Sequence, residues 1–153
     1  MYDPPAIANL ILDEGQRKRV TVSNLALQKL LYFAHALFLV QRKRPLVSGY
    51  FEAWQNGPVH PLVYHAFKTA GAQPIDFRAS GTNAMTGEKT PLAPPRDASV
   101  GDQIEHVMMS YGRLTTGRLV DISHAKGAPW DFVVENSRQG VGLGLRISND
   151  VII

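Results

Sequence analysis

Five histidines offer the most obvious chemistry in this chain: His35, His60, His65, His106 and His124. Imidazole binds metals and moves protons near neutral pH. Two ligands on one helix face need a spacing of four, or sometimes three. His60 and His65 are five apart, and Pro61 directly after His60 sets it outside a following helix. Their spacing therefore implies no metal site, and each histidine reads singly as a surface or hydrogen-bonded structural residue. His35 lies on an otherwise apolar helix, where a hydrogen-bonded core histidine is expected. The carboxylates are no better placed for acid–base work. Asp13 and Glu14 are adjacent and point to different helix faces, while Asp121 and Glu135 are isolated. The sequence has no G-x-S-x-G nucleophile elbow and no G-x-x-x-x-G-K-[ST] phosphate loop. Gly140-Val141-Gly142-Leu143-Gly144 is faintly like a dinucleotide loop. Its spacing is wrong and too little chain follows for a βαβ unit, so a flexible turn is expected. These residues imply no catalysis, cofactor or metal.

Aromatic and turn residues are the more informative group. Trp54, Gly57, Pro58, Tyr64 and Trp130 are dispersed around tight turns. Tryptophans beside Gly-Pro turns lock one helix against another; tryptophan, tyrosine and arginine are also the usual anchors of protein interfaces. The net charge is +3, and much of the excess is local, in Arg17-Lys18-Arg19 and Arg42-Lys43-Arg44. That balance permits nucleic-acid contact without demanding it. The simpler reading is two solvated helix ends, where cations are favoured.

The elements that must hold these residues are mostly helical. Pro4 and Pro5 open a first helix carrying Ala6, Ile7, Leu10 and Ile11, with Gly15 as its stop. Ser23 caps a longer second helix reaching Arg44, apolar around most of its circumference and hence central to the fold. Its polar members Gln28, Tyr32 and His35 share one face. Val47 to Trp54 reads as a short strand or extended segment, and Asn56-Gly57-Pro58 as a turn. Pro58 or Pro61 opens a third helix that stops at Gly71. Residues 76–98 are rich in breakers and read as a flexible surface loop, with room for a short hairpin. Three more helical patterns follow: one from Ser99 to Gly112, one capped by Thr115 or Thr116, and one opened by Pro129. Leu145 to Ile153 reads as a strand or a helix fragment. The expected fold is mainly α: a single compact multi-helix domain over residues 1–153, around a central apolar helix, with at most a small strand pair. With 153 residues and no cysteine, the chain is long enough to build its core without disulfides. It shows no signal-peptide pattern, and Leu30 to Val40 is too short for a membrane span. A cytoplasmic location away from membranes is expected.

Several of these motifs also occur together in a known family. Leu27-Gln28-Lys29-Leu30-Leu31-Tyr32-Phe33-Ala34 resembles the opening signature of the Panacea domain of SocA-like antitoxins. That pattern continues in Glu52-Ala53-Trp54-Gln55-Asn56-Gly57-Pro58-Val59 and in Tyr64 on the next helix. It ends in Leu119, Ser123-His124 and Gly127-Ala128-Pro129-Trp130. The resemblance covers about residues 5 to 136, and its strength lies in several motifs in order at similar gaps. Two departures stand out: Ala128 extends the usual Gly-Pro-Trp turn, and the chain stops soon after Ile147, where a last helix is expected.

The resemblance implies a largely helical antitoxin that binds a toxin protein encoded nearby. It leaves open whether the toxin is occluded or is delivered, as by a proteolytic adaptor, to a Clp protease. Gln28, Tyr32, Trp54 and His124 are the expected partner-binding residues, being polar or amphipathic members of the matched motifs. Lys29, Glu52, Gly57, Pro58, Tyr64 and Trp130 are the expected structural signature that presents them. The alternative is a nucleic-acid-binding regulator of its own operon, resting on the basic runs; no helix-turn-helix pattern supports it.

Overall fold

A computed structural model describes residues 1–137 and 144–153. The glycine-rich turn expected at 140–144 therefore lies outside the described residues except for Gly144. The chain opens with α1 (Pro4–Arg17), capped by the Asp3 carboxylate on the Ala6 amide. α1 continues through Gly15 instead of stopping there. A Cβ at Gly15 would lie 3.2 Å from the Val20 carbonyl and 3.3 Å from Val22, so this glycine serves close packing. Next comes α2 (Asn24–Arg42), where the Ser23 hydroxyl accepts from the Ala26 amide and Lys43 closes the helix in the left-handed region. The basic runs sit at the ends of these two helices, as their dipoles favour.

After α2 the chain forms a hairpin of β1 (Phe51–Trp54) and β2 (Gly57–Val59), then α3 (Pro61–Phe67) and a 3-10 turn (Lys68–Ala70). A second small hairpin, β3 (Ser80–Thr82) and β4 (Lys89–Pro91), leads to α4 (Ala98–Tyr111), α5 (Thr116–Ser123) and α6 (Pro129–Glu135). The described chain ends with β5 (Arg146–Ile147) and α7 (Asn149–Ile152), so Leu145 to Ile153 holds both a strand and a helix fragment. The architecture is mainly α, with two small antiparallel strand sets, one ordered β2-β1-β5 and the other β3-β4. Pro58 is tolerated because β2 is an edge strand.

One apolar cluster joins α1, α2 and α4 to β1, α3, α5 and α7. The central helix contributes Leu27, Leu30, Leu31, Ala34 and Phe38, each at most 1% exposed. Leu37 only packs at the margin of this cluster, partly buried. Leu37→Ala is accordingly expected to cost roughly 1–2 kcal/mol, against the 2–5 kcal/mol usual for an enclosed leucine such as Leu30. Urea unfolding of the two single variants measures the difference. The face expected from Gln28, Tyr32 and His35 is also present, but it turns inward. The Tyr32 and His35 rings each lie 5.3 Å from Phe51. The Val47 amide donates to His35 Nδ1, so Nε2 carries the proton and donates to Asn149 Oδ1 at 2.9 Å. His35 is thus a hydrogen-bonded core histidine.

The excursion at 76–98 runs over the surface and is anchored at its start. Asn9 makes two 2.9 Å hydrogen bonds with the Ala79 backbone, and Arg78 pairs with Asp13 at 2.8 Å. Residues 82–89 beyond this anchor are exposed. Replacing 81–91 by a short Gly-Ser bridge should therefore shift stability by less than about 1 kcal/mol, since loop length acts weakly on closure entropy. A lost cooperative thermal transition would show the hairpin to be structural.

Candidate partner-binding face

The signature residues converge where the β1–β2 hairpin crosses α2 and meets the turn between α5 and α6. Gln28 is 1% exposed; its Oε1 accepts the His60 amide at 2.9 Å and its Nε2 donates to Asn24 Oδ1 at 3.0 Å. Asn24 in turn donates to the Tyr64 carbonyl at 3.2 Å. These bonds tie the first turns of α2 to both ends of α3's first turn. The residue after Gln28, Lys29, is fully enclosed, and its ammonium donates to the Pro58 carbonyl at 2.6 Å. Burial pulls the Lys29 pKa down to about 7, because a charged ammonium is poorly solvated there. Tyr32, 5% exposed, lies edge-on to Phe51, and burial raises its phenol pKa.

The hairpin itself is braced from outside. Glu52 Oε1 accepts the Trp54 indole N–H and the Gly144 amide, both at 2.9 Å. The Trp54 carbonyl accepts the Trp130 indole N–H at 2.8 Å, fixing α6 to β1. The Trp54 ring stands edge-on to Tyr64 with centroids 5.0 Å apart. His124, the residue closing α5, stacks on Trp130 at 3.9 Å and 17°. Its Nε2 is buried with no partner among the described residues. Desolvation, and then the charge of Lys29, hold its pKa below the ordinary histidine value. The remaining close approach is at Gly57, where a Cβ would lie 2.5 Å from Ser123 Oγ and 2.9 Å from Lys29 Cε.

All ten signature residues thus belong to one contiguous assembly, but their exposure divides them. Trp54 and His124 are half-buried and keep surface. Gln28 and Tyr32, expected beside them as partner contacts, are enclosed, because the face that carries them is covered by the hairpin. Lys29, Gly57 and Pro58 are interior, while Glu52, Tyr64 and Trp130 are half-buried braces. Three members lie outside the ten expected site residues, although His60 is read from the sequence as a surface or hydrogen-bonded structural histidine. Asn24 and His60 are needed to close the hydrogen bonds of Gln28, and buried Ser123 seats Gly57. Ser123 was visible only as the neighbour of His124.

The described residues contain no group of three His, Asp or Glu side chains that could hold a metal ion. No described helix is long and apolar enough to cross a membrane. No solved structure matches the chain. A family model described as "Antitoxin SocA-like, Panacea domain" matches residues 27–131. The Antitoxin SocA of Caulobacter vibrioides (strain NA1000 / CB15N) is 47% identical over 150 residues, spanning 98% of this chain and 80% of that protein. The matched segment contains all ten signature residues, from Gln28 to Trp130, and on these grounds the chain belongs to the SocA-like antitoxin family with a Panacea domain.

Proposed function

We propose that this protein is an antitoxin that neutralises a partner toxin by direct contact, without catalysis. The observation that carries this reading is the 47% identity to an Antitoxin SocA over nearly the whole chain. The arrangement of the signature residues supports it. Enclosed Gln28, Lys29 and Tyr32 fix the hairpin, and Trp54, Tyr64 and the His124–Trp130 stack are left as its half-buried aromatic rim. Rigid aromatic groups over a satisfied scaffold make efficient interface anchors, since little side-chain freedom is lost on binding. A stable complex would bury about 1,200–2,000 Å². Gln28 and Tyr32 act on the partner through the hairpin they hold, while Trp54 and His124 touch it. The place of action is the cytoplasm.

The test is co-expression with the protein encoded by the adjacent reading frame, followed by growth assay and pull-down. The wild type should rescue growth and form a complex. A folded Trp54→Ala variant should lose both, with affinity down at least tenfold. Growth rescue with no complex at any salt concentration would overturn direct neutralisation. Delivery to a Clp protease is the finer form of this reading, and predicts that the toxin's half-life lengthens when the protease is deleted. An unchanged half-life leaves occlusion as the mode. A nucleic-acid regulator is less well supported, because half of the six residues in the two basic runs are already paired. Arg17 and Lys18 pair with Glu14, and Arg44 pairs with Asp97 while lying over Phe38.

A further inference from the structure

Beside the aromatic rim lies a cleft of about 380 Å³ between the start of α2, the hairpin tip and the end of α3. Leu25, Trp54, Val59 and Tyr64 supply most of its apolar wall, and Gln28 lies at its inner end. Its volume is near the lower limit for ligand pockets, enough for one large side chain with its neighbours outside. The mouth has a different chemistry. Lys68 is the cleft's one charged lining residue, is exposed, and has no acidic partner among the described residues. Gln55 and Asn56 at the hairpin tip are exposed beside it. No carboxylate among the described residues lines the cleft: Glu52, on the same strand as Trp54, lies outside it and accepts the Trp54 indole and the Gly144 amide. The opening therefore combines an apolar socket with an uncompensated positive rim.

Charge and shape together select the occupant. An apolar side chain desolvates the socket, and a carboxylate beside it meets Lys68; a basic segment would be repelled at the mouth. We propose that this cleft is the anchor site for a short segment of the toxin carrying a bulky apolar side chain next to an acidic residue. The assignment rests on the reading of this protein as a contact antitoxin, and it narrows the half-buried rim to one socket. Trp54 is then the shared wall of both, which explains why an indole is needed there as well as its hydrogen bond to Glu52.

Two exposed positions test the cleft without touching the core. Lys68→Glu reverses the rim charge, and Ala72→Trp, at the exposed lip of the cleft, fills the socket. Lys89→Glu, on β4 and outside the cleft, is the control with the same charge change. The probes are the purified protein of the adjacent reading frame and overlapping 15-residue peptides spanning it, titrated against the full chain by fluorescence and calorimetry. Lys68→Glu should weaken the full-length probe at least tenfold, with a reduced dependence on salt, and Ala72→Trp should weaken it at least as much. Lys89→Glu should bind like the wild type. The peptide that binds should pair Phe, Tyr, Trp, Leu or Ile with Asp or Glu. If the probe binds the wild type and both cleft variants equally, the cleft proposal is overturned while the antitoxin reading stands. If it does not bind the wild type at all, both fall together. Loss in Ala72→Trp alone, with Lys68→Glu unaffected, overturns the acidic half of the assignment. A concentration-dependent dimer of the chain itself that Ala72→Trp abolishes would assign the cleft to a second copy, against the proposal.

Discussion

Gly57→Ala is expected to destabilise the protein by about 2–6 kcal/mol, the cost of backbone strain together with overpacking. Neither Gln55 nor Asn56 at the hairpin tip has a positive φ, so the dihedral needed to match the strand twist falls on Gly57, at +106°. An L-residue is strained there wherever its side chain goes. The added methyl also has no room. It would meet the buried Ser123 hydroxyl, which is held by the Val120 carbonyl at 2.8 Å, and the enclosed methylenes of Lys29. Either the hairpin lifts from α2 or α5 shifts. Urea unfolding should show the lower midpoint, and toxin affinity should fall with it because Trp54 moves. Gly71→Ala is the comparison: Gly71 also has a positive φ, of +59°, but nothing stands within 4 Å of its added carbon. With ψ at −131° it lies in a region that L-residues rarely adopt, and its penalty should be confined to about 1–3 kcal/mol of strain. Equal losses at the two glycines would mean that the close approach to Ser123 contributes nothing.

Stability should rise as pH is raised from 7 toward 10, by roughly 3–5 kcal/mol across the window, and Lys29→Met should flatten that rise. In the unfolded chain Lys29 keeps an ordinary value near 10.5, whereas in the fold burial brings it to about 7. Between those values the unfolded state binds one more proton than the folded state. Raising pH removes that proton and so favours the fold; below pH 7 both states are charged and the full burial penalty is present. Tyr32 acts in the opposite sense only above pH 10, where its raised value keeps the folded phenol protonated. Methionine fills the lysine's volume without charge but leaves the Pro58 carbonyl without its donor, a loss of about 1–3 kcal/mol. The variant should therefore exceed the wild type by about 1–3 kcal/mol near pH 7 and lose that lead as pH rises to 9.5. Urea midpoints at pH 7, 8.5 and 9.5 provide the measurement. An unchanged slope in the variant would show that Lys29 is not the titrating group.

Sequence alone determined α1 to α6 and their order, because each carries a local signal that tertiary context did not need to supply, whereas Leu145 to Ile153 stayed open between strand and helix fragment. Ser23 and Thr115 are caps, Pro4, Pro61 and Pro129 begin helices, and the apolar circumference of α2 makes it central. The signature motifs also identified which residues belong together, since their order and gaps survive without coordinates. What they do there was decided by tertiary structure. Local pattern placed Asn56-Gly57-Pro58 in a turn, but pairing with β1 draws Gly57 and Pro58 into a strand. Gly15 reads as a helix stop until Val20 and Val22 fold back against it. Most of all, Gln28 and Tyr32 read as partner-contacting surface, and no local signal buries the side chain of Lys29, read only as part of the structural signature. A polar side chain is stable inside only if distant groups meet its hydrogen-bonding atoms or burial shifts its proton equilibrium. The His60 amide is 32 positions from Gln28, and the Pro58 carbonyl is 29 from Lys29. No spacing rule along one helix foretells partners at that separation. The same folding left Trp54 and His124 with surface and made Lys68, a residue no motif marked, the charged rim of a cleft.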